Sequence, residues 1–303
     1  MLRACRMSDD EPLRHPAGVL VRQSRRLLRL IRARDNLAAH AQLMTMDRSA
    51  LLMPAIRSWL LLTAELGAAR LPGGALAEPD NAGGLIRAEV GDEQPWQLGL
   101  RQALIHAAAR DGDRLFPVVA RHAAGPDRLQ YVTSIAATAG CIVDSVNVSP
   151  EAVGAAHLLG YYARQPGHWS VAGYGLRQIV VTLAVVDTGY QFADTMLGPE
   201  IEALGALSAH DQGRLLGVLG GAFGAVMGDA TGISLHPGSG PDGPDGPVQE
   251  RAARIAMTVG RAYRGELSDL TRLAERLTPD EIALGCYGLG NMLAVRCREL
   301  WGR

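Results

Sequence analysis

Lysine is absent from this chain of 303 residues, and all 30 of its basic residues are arginine. The absence excludes chemistry that needs a lysine ε-amine: Schiff-base catalysis, phosphate binding by a P-loop lysine and the serine–lysine catalytic pair. Arginine together with abundant alanine and glycine is typical of proteins encoded by GC-rich bacterial genomes. We therefore expect a bacterial protein whose function does not depend on an amine side chain.

Cysteine is also scarce, with four residues at positions 5, 141, 286 and 297. No two of them have the Cys-x-x-Cys spacing of a zinc or redox motif, and the histidines form no pair four residues apart. The sequence thus predicts free thiols in a reducing compartment, with no cofactor and no metal. Acidic residues at positions 9–11 interrupt the apolar core that a secretory signal needs, which favours a cytoplasmic location.

A long hydrophobic run and an excess of charge of one sign are lacking as well. The formal net charge of −1 gives no overall attraction to nucleic acid or anionic lipid. The longest apolar stretch, 215–228, is shorter than the about 20 residues that cross a bilayer. Because the hydrophobic fraction of 48% is that of a globular protein, we expect this stretch to be a buried core helix.

Apolar residues recur at helical spacing along most of the chain, which predicts an all-α fold. We expect about ten to twelve helices in a single compact unit, an irregular multi-helix bundle or helical-repeat-like array with one long Gly/Pro loop. The first two helices are predicted over 16–43 and 48–66, with Asp47 as the N-cap of the second. Segment 171–186 is rich in β-branched residues that suit a strand, but its helical neighbours favour a buried helix.

Two helix starts have clear signals in the sequence. Ser149, Pro150 and Glu151 supply an N-cap, a proline at the first helical position and an acid in the first turn. Thr278 and Glu281 have the spacing of a capping box, which predicts the start of the last helix.

The predicted organisation has four parts. Residues 1–15 form a flexible N-terminus, and 16–228 form the main α-helical domain. Residues 229–247 contain two Pro-Asp-Gly repeats and are expected to be a linker or loop. Residues 248–303 are too few for an independent core, so their helices are expected to pack on the main domain.

The first predicted helix carries an arginine face with no acid among its members. On a helix these residues share one broad side: Arg22, Arg25, Arg26, Arg29 and Arg32. Such a face can bind an acidic protein, and the sequence does not exclude nucleic acid or a membrane surface. The alternative is an ordinary solvated face paired locally with acids from elsewhere in the chain.

Glycines recur in the stretch that precedes residue 229, at steps of three and four residues. They form a glycine stripe: Gly213, Gly217, Gly220, Gly221, Gly224 and Gly228. Inside a helix each glycine costs about 1 kcal/mol relative to alanine, so a compensating gain is expected. Close packing of another helix, within one subunit or across a dimer interface, would supply that gain.

Residues 185–189, Val-Val-Asp-Thr-Gly, resemble the hydrophobic-Asp-Thr-Gly motif of retroviral-type aspartic proteases. In that family the aspartate lies in a β-rich fold and pairs with a second carboxylate. The resemblance implies a catalytic role for Asp187. The surrounding pattern here is helical, and Tyr190 stands where those proteases usually have a small residue, so a protease is not favoured.

Residues 220–232, GGAFGAVMGDATG, resemble the stretch that opens ADP-ribosylglycohydrolases, an all-helical family in which aspartates hold magnesium. The resemblance implies a metal-ligand role for Asp229. The Thr-Asp-Asp triplet and the later Asp-x-Asp of that family are missing from this chain. A divalent cation needs several oxygen ligands, and Asp229 alone does not make such a site.

Two functional hypotheses follow from the sequence. The first is a non-catalytic interaction or regulatory protein that self-associates or binds a protein partner through the arginine face and the glycine stripe. The alternative is a hydrolase-type enzyme or small-molecule-binding protein with a pocket between helices. Its pocket would be lined by His168, Asp187, Asp194 and Asp229. Of the remaining histidines, His106 and His157 lie in apolar stretches and are expected to be core residues rather than ligands.

Overall fold

The structure is a computed structural model that describes residues 15–67, 95–145, 148–188, 193–227 and 277–302. Eleven α-helices and no strands occur in these residues, which confirms the predicted all-α fold. In chain order the helices are α1 Pro16–Arg32, α2 Asn36–Arg48, α3 Leu52–Gly67, α4 Pro95–Ala108, α5 Gly112–Ala123, α6 Arg128–Ser145, α7 Pro150–Tyr162, α8 Pro166–Asp187, α9 Ala193–Gly205, α10 Ala209–Met227 and α11 Pro279–Trp301. The proposed linker at 229–247 lies outside the described residues.

Helix α7 lies at the centre of the arrangement and contacts α1, α3, α8, α10 and α11. Its sequence explains the position, because nearly every residue from Ala152 to Gly160 is small or apolar and all are buried. At Gly160 the backbone approaches α3 so closely that a Cβ atom would lie 2.8 Å from the Cα atom of Ser58. Helix α11 packs on α7, α8 and α10, so the C-terminal helix lies against the main body.

The predicted helix 16–43 is in fact two helices, because Arg34 interrupts it with a positive φ of 56°. The amide of Asp35 donates to the carbonyl of Leu30, and the Asp35 side chain accepts from the amide of Ala38 as the N-cap of α2. Asp47 is consequently not an N-cap; it lies in the last turn of α2. A second left-handed residue, Ala50 at φ 56°, separates α2 from α3.

Segment 171–186 is helical, as predicted, and forms most of α8. The helix has 22 residues, and an apolar window of 18 of them has a mean hydropathy of 1.3, so its length and composition alone would allow it to cross a membrane. In the structure 61% of that apolar window is buried against other helices. Buried β-branched side chains such as Val171 and Ile179 therefore occupy a core helix, where tertiary packing outweighs strand propensity.

Both predicted capping motifs are confirmed. The Ser149 hydroxyl accepts a hydrogen bond from the amide of Ala152 at 3.3 Å, with Pro150 as the first residue of α7. At the start of α11, Thr278 accepts from the amide of Glu281, and the Glu281 carboxylate accepts from the amide of Thr278 at 2.9 Å. These reciprocal bonds satisfy backbone donors that the helix itself leaves unpaired.

Candidate interaction surface

The arginine face lies on α1, whose opposite side is buried in the core. Leu20, Leu27 and Leu28 on that side are at most 5% exposed, so the helix is amphipathic and its orientation is determined by apolar burial. The arginines are thereby directed toward solvent and toward the neighbouring ends of α6, α7 and α11.

Arg25 is bound within its own chain. Its Nη2 donates to the carbonyl of Pro150 at 2.9 Å, and its guanidinium lies 5.7 Å from the ring centroid of Trp301. The Trp301 ring can lie there because α7 has glycine at position 154, where a Cβ atom would be 2.2 Å from the ring. Arg25 therefore joins α1 to the start of α7 and the end of α11.

Arg32 is also engaged by its own chain. Its Nε donates to Oδ2 of Asp144 at 3.0 Å, and a second guanidinium nitrogen pairs with Oδ1 of the same carboxylate. Arg22 is half-buried, and its Nη1 makes no hydrogen bond. Of these three arginines, Arg32 is paired with an acid of its own chain, Arg25 is bound to a carbonyl and a ring, and Arg22 is half-buried.

Arg26 and Arg29 remain, and both side chains are exposed. They are three residues apart on α1, so they are neighbours on the helix surface. Within the described part of the chain neither forms an ion pair with an acidic side chain. These two residues are the part of the arginine face that is open to a partner.

The glycine stripe on α10 is divided between two environments. Gly221 packs under Tyr162 of α7, where a Cβ atom would lie 2.5 Å from the ring. At Gly213 and Gly217 a Cβ atom would have no other atom within 4 Å, so nothing in the described residues packs on them. Gly224 is half-buried, and Gly228 lies outside the described residues. The close approach predicted from the stripe is therefore found at Gly221.

The residues proposed to line a pocket are not brought together where the structure describes them. His168 is near the start of α8 and Asp187 is its last residue, so about 28 Å of helix separates them. His168 is half-buried, and burial together with Arg214 lowers its pKa. Asp187 is exposed and pairs with Arg298 at 2.6 Å. The backbone of Asp194 lies in α9, while its side chain and the whole of Asp229 lie outside the described residues.

A buried carboxylate that the sequence did not reveal links α3, the α4–α5 turn and α8. Glu65, with a side chain 6% exposed, accepts two hydrogen bonds from Arg110 at 2.8 and 2.7 Å. Arg177 lies 3.7 Å from the same carboxylate, and the Tyr174 ring lies 4.0 Å from the Arg110 guanidinium. Burial acts to lower the pKa of Arg110, but the hydrogen bonds and charge of Glu65 outweigh it and raise that pKa. The Glu65 carboxylate and the Arg110 guanidinium are therefore both charged in this partly buried contact.

An open apolar groove lies between α2 and α6, with a volume of about 240 Å³. Its lining comes from α2, the start of α3 and the α5–α6 turn: His40, Leu43, Met44, Leu52, Gly125, Pro126, Arg128, Leu129 and Val132. Beside it on α2, Leu37 is 84% exposed. The sequence did not predict this groove, because its lining comes from segments that are far apart along the chain.

No group of three or more histidine, cysteine, aspartate or glutamate side chains suitable for a metal occurs in the described ranges. The helical body carries two notable exposed surfaces, the Arg26–Arg29 pair and the α2 groove. Comparison with protein-family models, with curated proteins and with solved structures finds no match for this chain.

Proposed function

We propose that this chain is a non-catalytic helical interaction or regulatory protein of a bacterial cytoplasm, which self-associates and binds an acidic protein partner through α1. One observation supports the partner site. Arg25 and Arg32 are bound to their own chain, whereas Arg26 and Arg29 between them are exposed side by side. Like charges at this spacing destabilise a helix by about 0.2–0.5 kcal/mol, and carboxylates of a partner would reverse the sign of that interaction.

The small size of the free pair favours a protein over the other acidic partners. Duplex DNA is bound by proteins that make about 6–10 phosphate contacts, and anionic membranes are bound by clusters of about 4–8 basic residues. Two exposed guanidiniums are too few for either, but they suffice for two bidentate contacts with carboxylates. We therefore do not propose binding to nucleic acid or to a membrane, and the charge-reversal experiment below would detect either.

Charge reversal tests the partner site. We expect Arg26→Glu/Arg29→Glu to abolish recovery of the partner by quantitative affinity capture from the native host, with an unchanged circular dichroism spectrum. The matched control is Arg114→Glu/Arg121→Glu, which alters two exposed arginines of α5 and changes the net charge equally. Recovery that is equal in both variants would contradict the proposal. Binding of a DNA duplex or of anionic vesicles, lost in the same variant, would reassign the partner.

The alternative of an enzyme or small-molecule-binding protein depends on a convergent polar pocket. Two of the residues it requires, His168 and Asp187, stand at opposite ends of α8. Native mass spectrometry of the gently purified chain distinguishes the two functions, because a stoichiometric small molecule would add its own mass to the protein. We expect no such addition.

A further inference from the structure

Two arginines meet at the C-terminal end of α7. Arg57 of α3 donates from Nε to the carbonyl of Gly160 at 2.9 Å, and Arg164 donates from Nε to the carbonyl of Tyr161 at 3.2 Å. Because these carbonyls belong to consecutive residues, both guanidiniums are held beside the same helix end. Basic side chains often cap a helix by donating to its last carbonyls. Capping accounts for one nitrogen of each guanidinium, and the Nη atoms make no hydrogen bond in the described part of the chain.

Arg57 is half-buried, and no acidic side chain in the described ranges forms an ion pair with it or with Arg164. Buried charges are usually paired, so a half-buried guanidinium without a carboxylate is unusual. The Nη atoms of Arg57 are not wholly buried, so solvent reaches them. Burial, followed by the charge of Arg164, lowers the pKa of Arg57 to about 10. Both guanidiniums are therefore charged at pH 7 and close enough to repel each other.

Tyr161 orients Arg164 and adds a hydroxyl group beside Arg57. The Arg164 guanidinium lies 4.6 Å from the centroid of the Tyr161 ring. That ring makes edge-to-face contacts with His15 and Tyr162, at centroid distances of 5.9 and 5.1 Å, which fix its position. The Tyr161 phenol also affects the pKa of Arg57, more weakly than Arg164 and in the opposite direction. Its hydroxyl makes no hydrogen bond to the described residues.

We propose that Arg57, Arg164 and Tyr161 form a binding site for the phosphate group of a small molecule. A phosphate monoester carries a charge of about −1.5 to −2 at pH 7 and has three strong acceptor oxygens. Two guanidiniums match that charge, and their Nη atoms together with the Tyr161 hydroxyl supply donors for the oxygens. A carboxylate has a single negative charge and two oxygens, so it would leave one of the two arginines uncompensated.

This site is separate from the partner site on α1 and goes beyond the proposed function. His15, which contacts Tyr161, is about 16 Å from Arg26 along α1. Because the Nη atoms are open to solvent, bound phosphate exchanges with the buffer and is removed by purification without phosphate. The site is therefore consistent with the expectation that the purified chain carries no stoichiometric small molecule.

Isothermal titration calorimetry of the full chain with sodium phosphate tests the site, with sodium chloride at equal ionic strength as the blank. We expect one phosphate per chain in the wild type. Arg164→Gln should raise the dissociation constant at least about tenfold, because it removes charge-assisted hydrogen bonds. The matched control is Arg121→Gln, which removes the same charge from an exposed side chain of α5 and should leave binding unchanged. No saturable binding by the wild type, or equal losses in the two variants, would overturn the site.

Arg57→Gln tests the half-buried side of the site. We expect it to weaken phosphate binding at least about tenfold as well. Circular dichroism verifies that the variant folds, because the carbonyl of Gly160 loses its donor. Arg164→Gln changes an exposed side chain, so it remains a valid test if Arg57→Gln does not fold. A folded Arg57→Gln variant with wild-type affinity would contradict the proposal.

Titrations with O-phosphoserine and with sodium acetate test the ligand class. We expect O-phosphoserine to bind and acetate to bind at least about tenfold more weakly than phosphate, because acetate has half the charge and fewer oxygens. Tighter binding of O-phosphoserine than of inorganic phosphate would identify a phosphate monoester as the ligand, and the reverse order would identify the free ion. Acetate that binds as tightly as phosphate would overturn the assignment.

Discussion

His157 is wholly buried in the middle of α7, with no exposed surface. Its Nδ1 lies 2.7 Å from the carbonyl oxygen of Val153, so Nδ1 carries the proton and donates to that oxygen. The other ring nitrogen, Nε2, is buried without a hydrogen bond. Burial lowers the pKa of His157 to about 4, because the charged ring would lose its hydration. The ring is therefore neutral at pH 7.

This neutral ring predicts an acid-sensitive fold. An unfolded histidine has a pKa of about 6.5, so between pH 6.5 and pH 4 the unfolded state binds more protons than the folded state. Above pH 6.5 the neutral ring costs the folded state nothing. As the pH falls to 4, the free energy of unfolding decreases by about 3 kcal/mol. Urea unfolding of the wild type and His157→Gln at pH 7, 6 and 5 measures it. Parallel pH dependences in the two proteins would refute the prediction.

At the scale of single residues, the sequence predicted which side chains are buried better than it predicted which residues they contact. The apolar stretch around His157 was enough to predict a core residue, whereas His106, predicted in the same way, is half-buried. The pairing of Glu65 with Arg110 was not predictable, because the two are far apart in sequence and only tertiary packing brings them together. The sequence also did not show which arginines of α1 contact their own chain, because Asp144 and Trp301, which bind Arg32 and Arg25, come from distant helices.

At the scale of the element, the glycines of α10 differ in what surrounds them. We expect Gly221→Ala to destabilise the protein by about 1–3 kcal/mol, because the new methyl group would displace the Tyr162 ring. Gly217→Ala should instead stabilise it by about 0.5–1 kcal/mol, because alanine is the better helix former and the site is open. Chemical denaturation measures both changes, and destabilisation by Gly217→Ala would show that another surface covers this site.

Helix starts were easier to predict than helix ends in this chain. Ser149 and Thr278 were identified because a capping side chain is visible in the sequence. The ends at Arg34 and Ala50 were missed, because each uses a left-handed residue that is not glycine, with φ of 56°. The amide that follows donates five residues back, as from Asp35 to Leu30, and this backbone pattern has no side-chain signature.

At the scale of the whole molecule, the Glu65 cluster joins α3, the α4–α5 turn and α8. Removing one partner leaves a partly buried charge uncompensated, so we expect Glu65→Leu to destabilise the protein by about 3–5 kcal/mol. The double variant Glu65→Leu/Arg110→Leu should recover part of that loss in thermal and urea unfolding. The exposed pair of Arg32 with Asp144 is the control, and Asp144→Ala should cost at most about 1 kcal/mol. Equal losses from Glu65→Leu and Asp144→Ala would contradict this ranking.

The contact between Arg25 and Trp301 determines when α1 can complete its packing during synthesis. The two residues are about 280 positions apart, yet they touch across the first and last helices of the described chain. A ribosome that adds about 5–20 residues per second needs tens of seconds to make the intervening segment. During that time Arg25 lacks the ring on which it packs in the complete fold. Helix α1 therefore completes its packing only after α11 has been made.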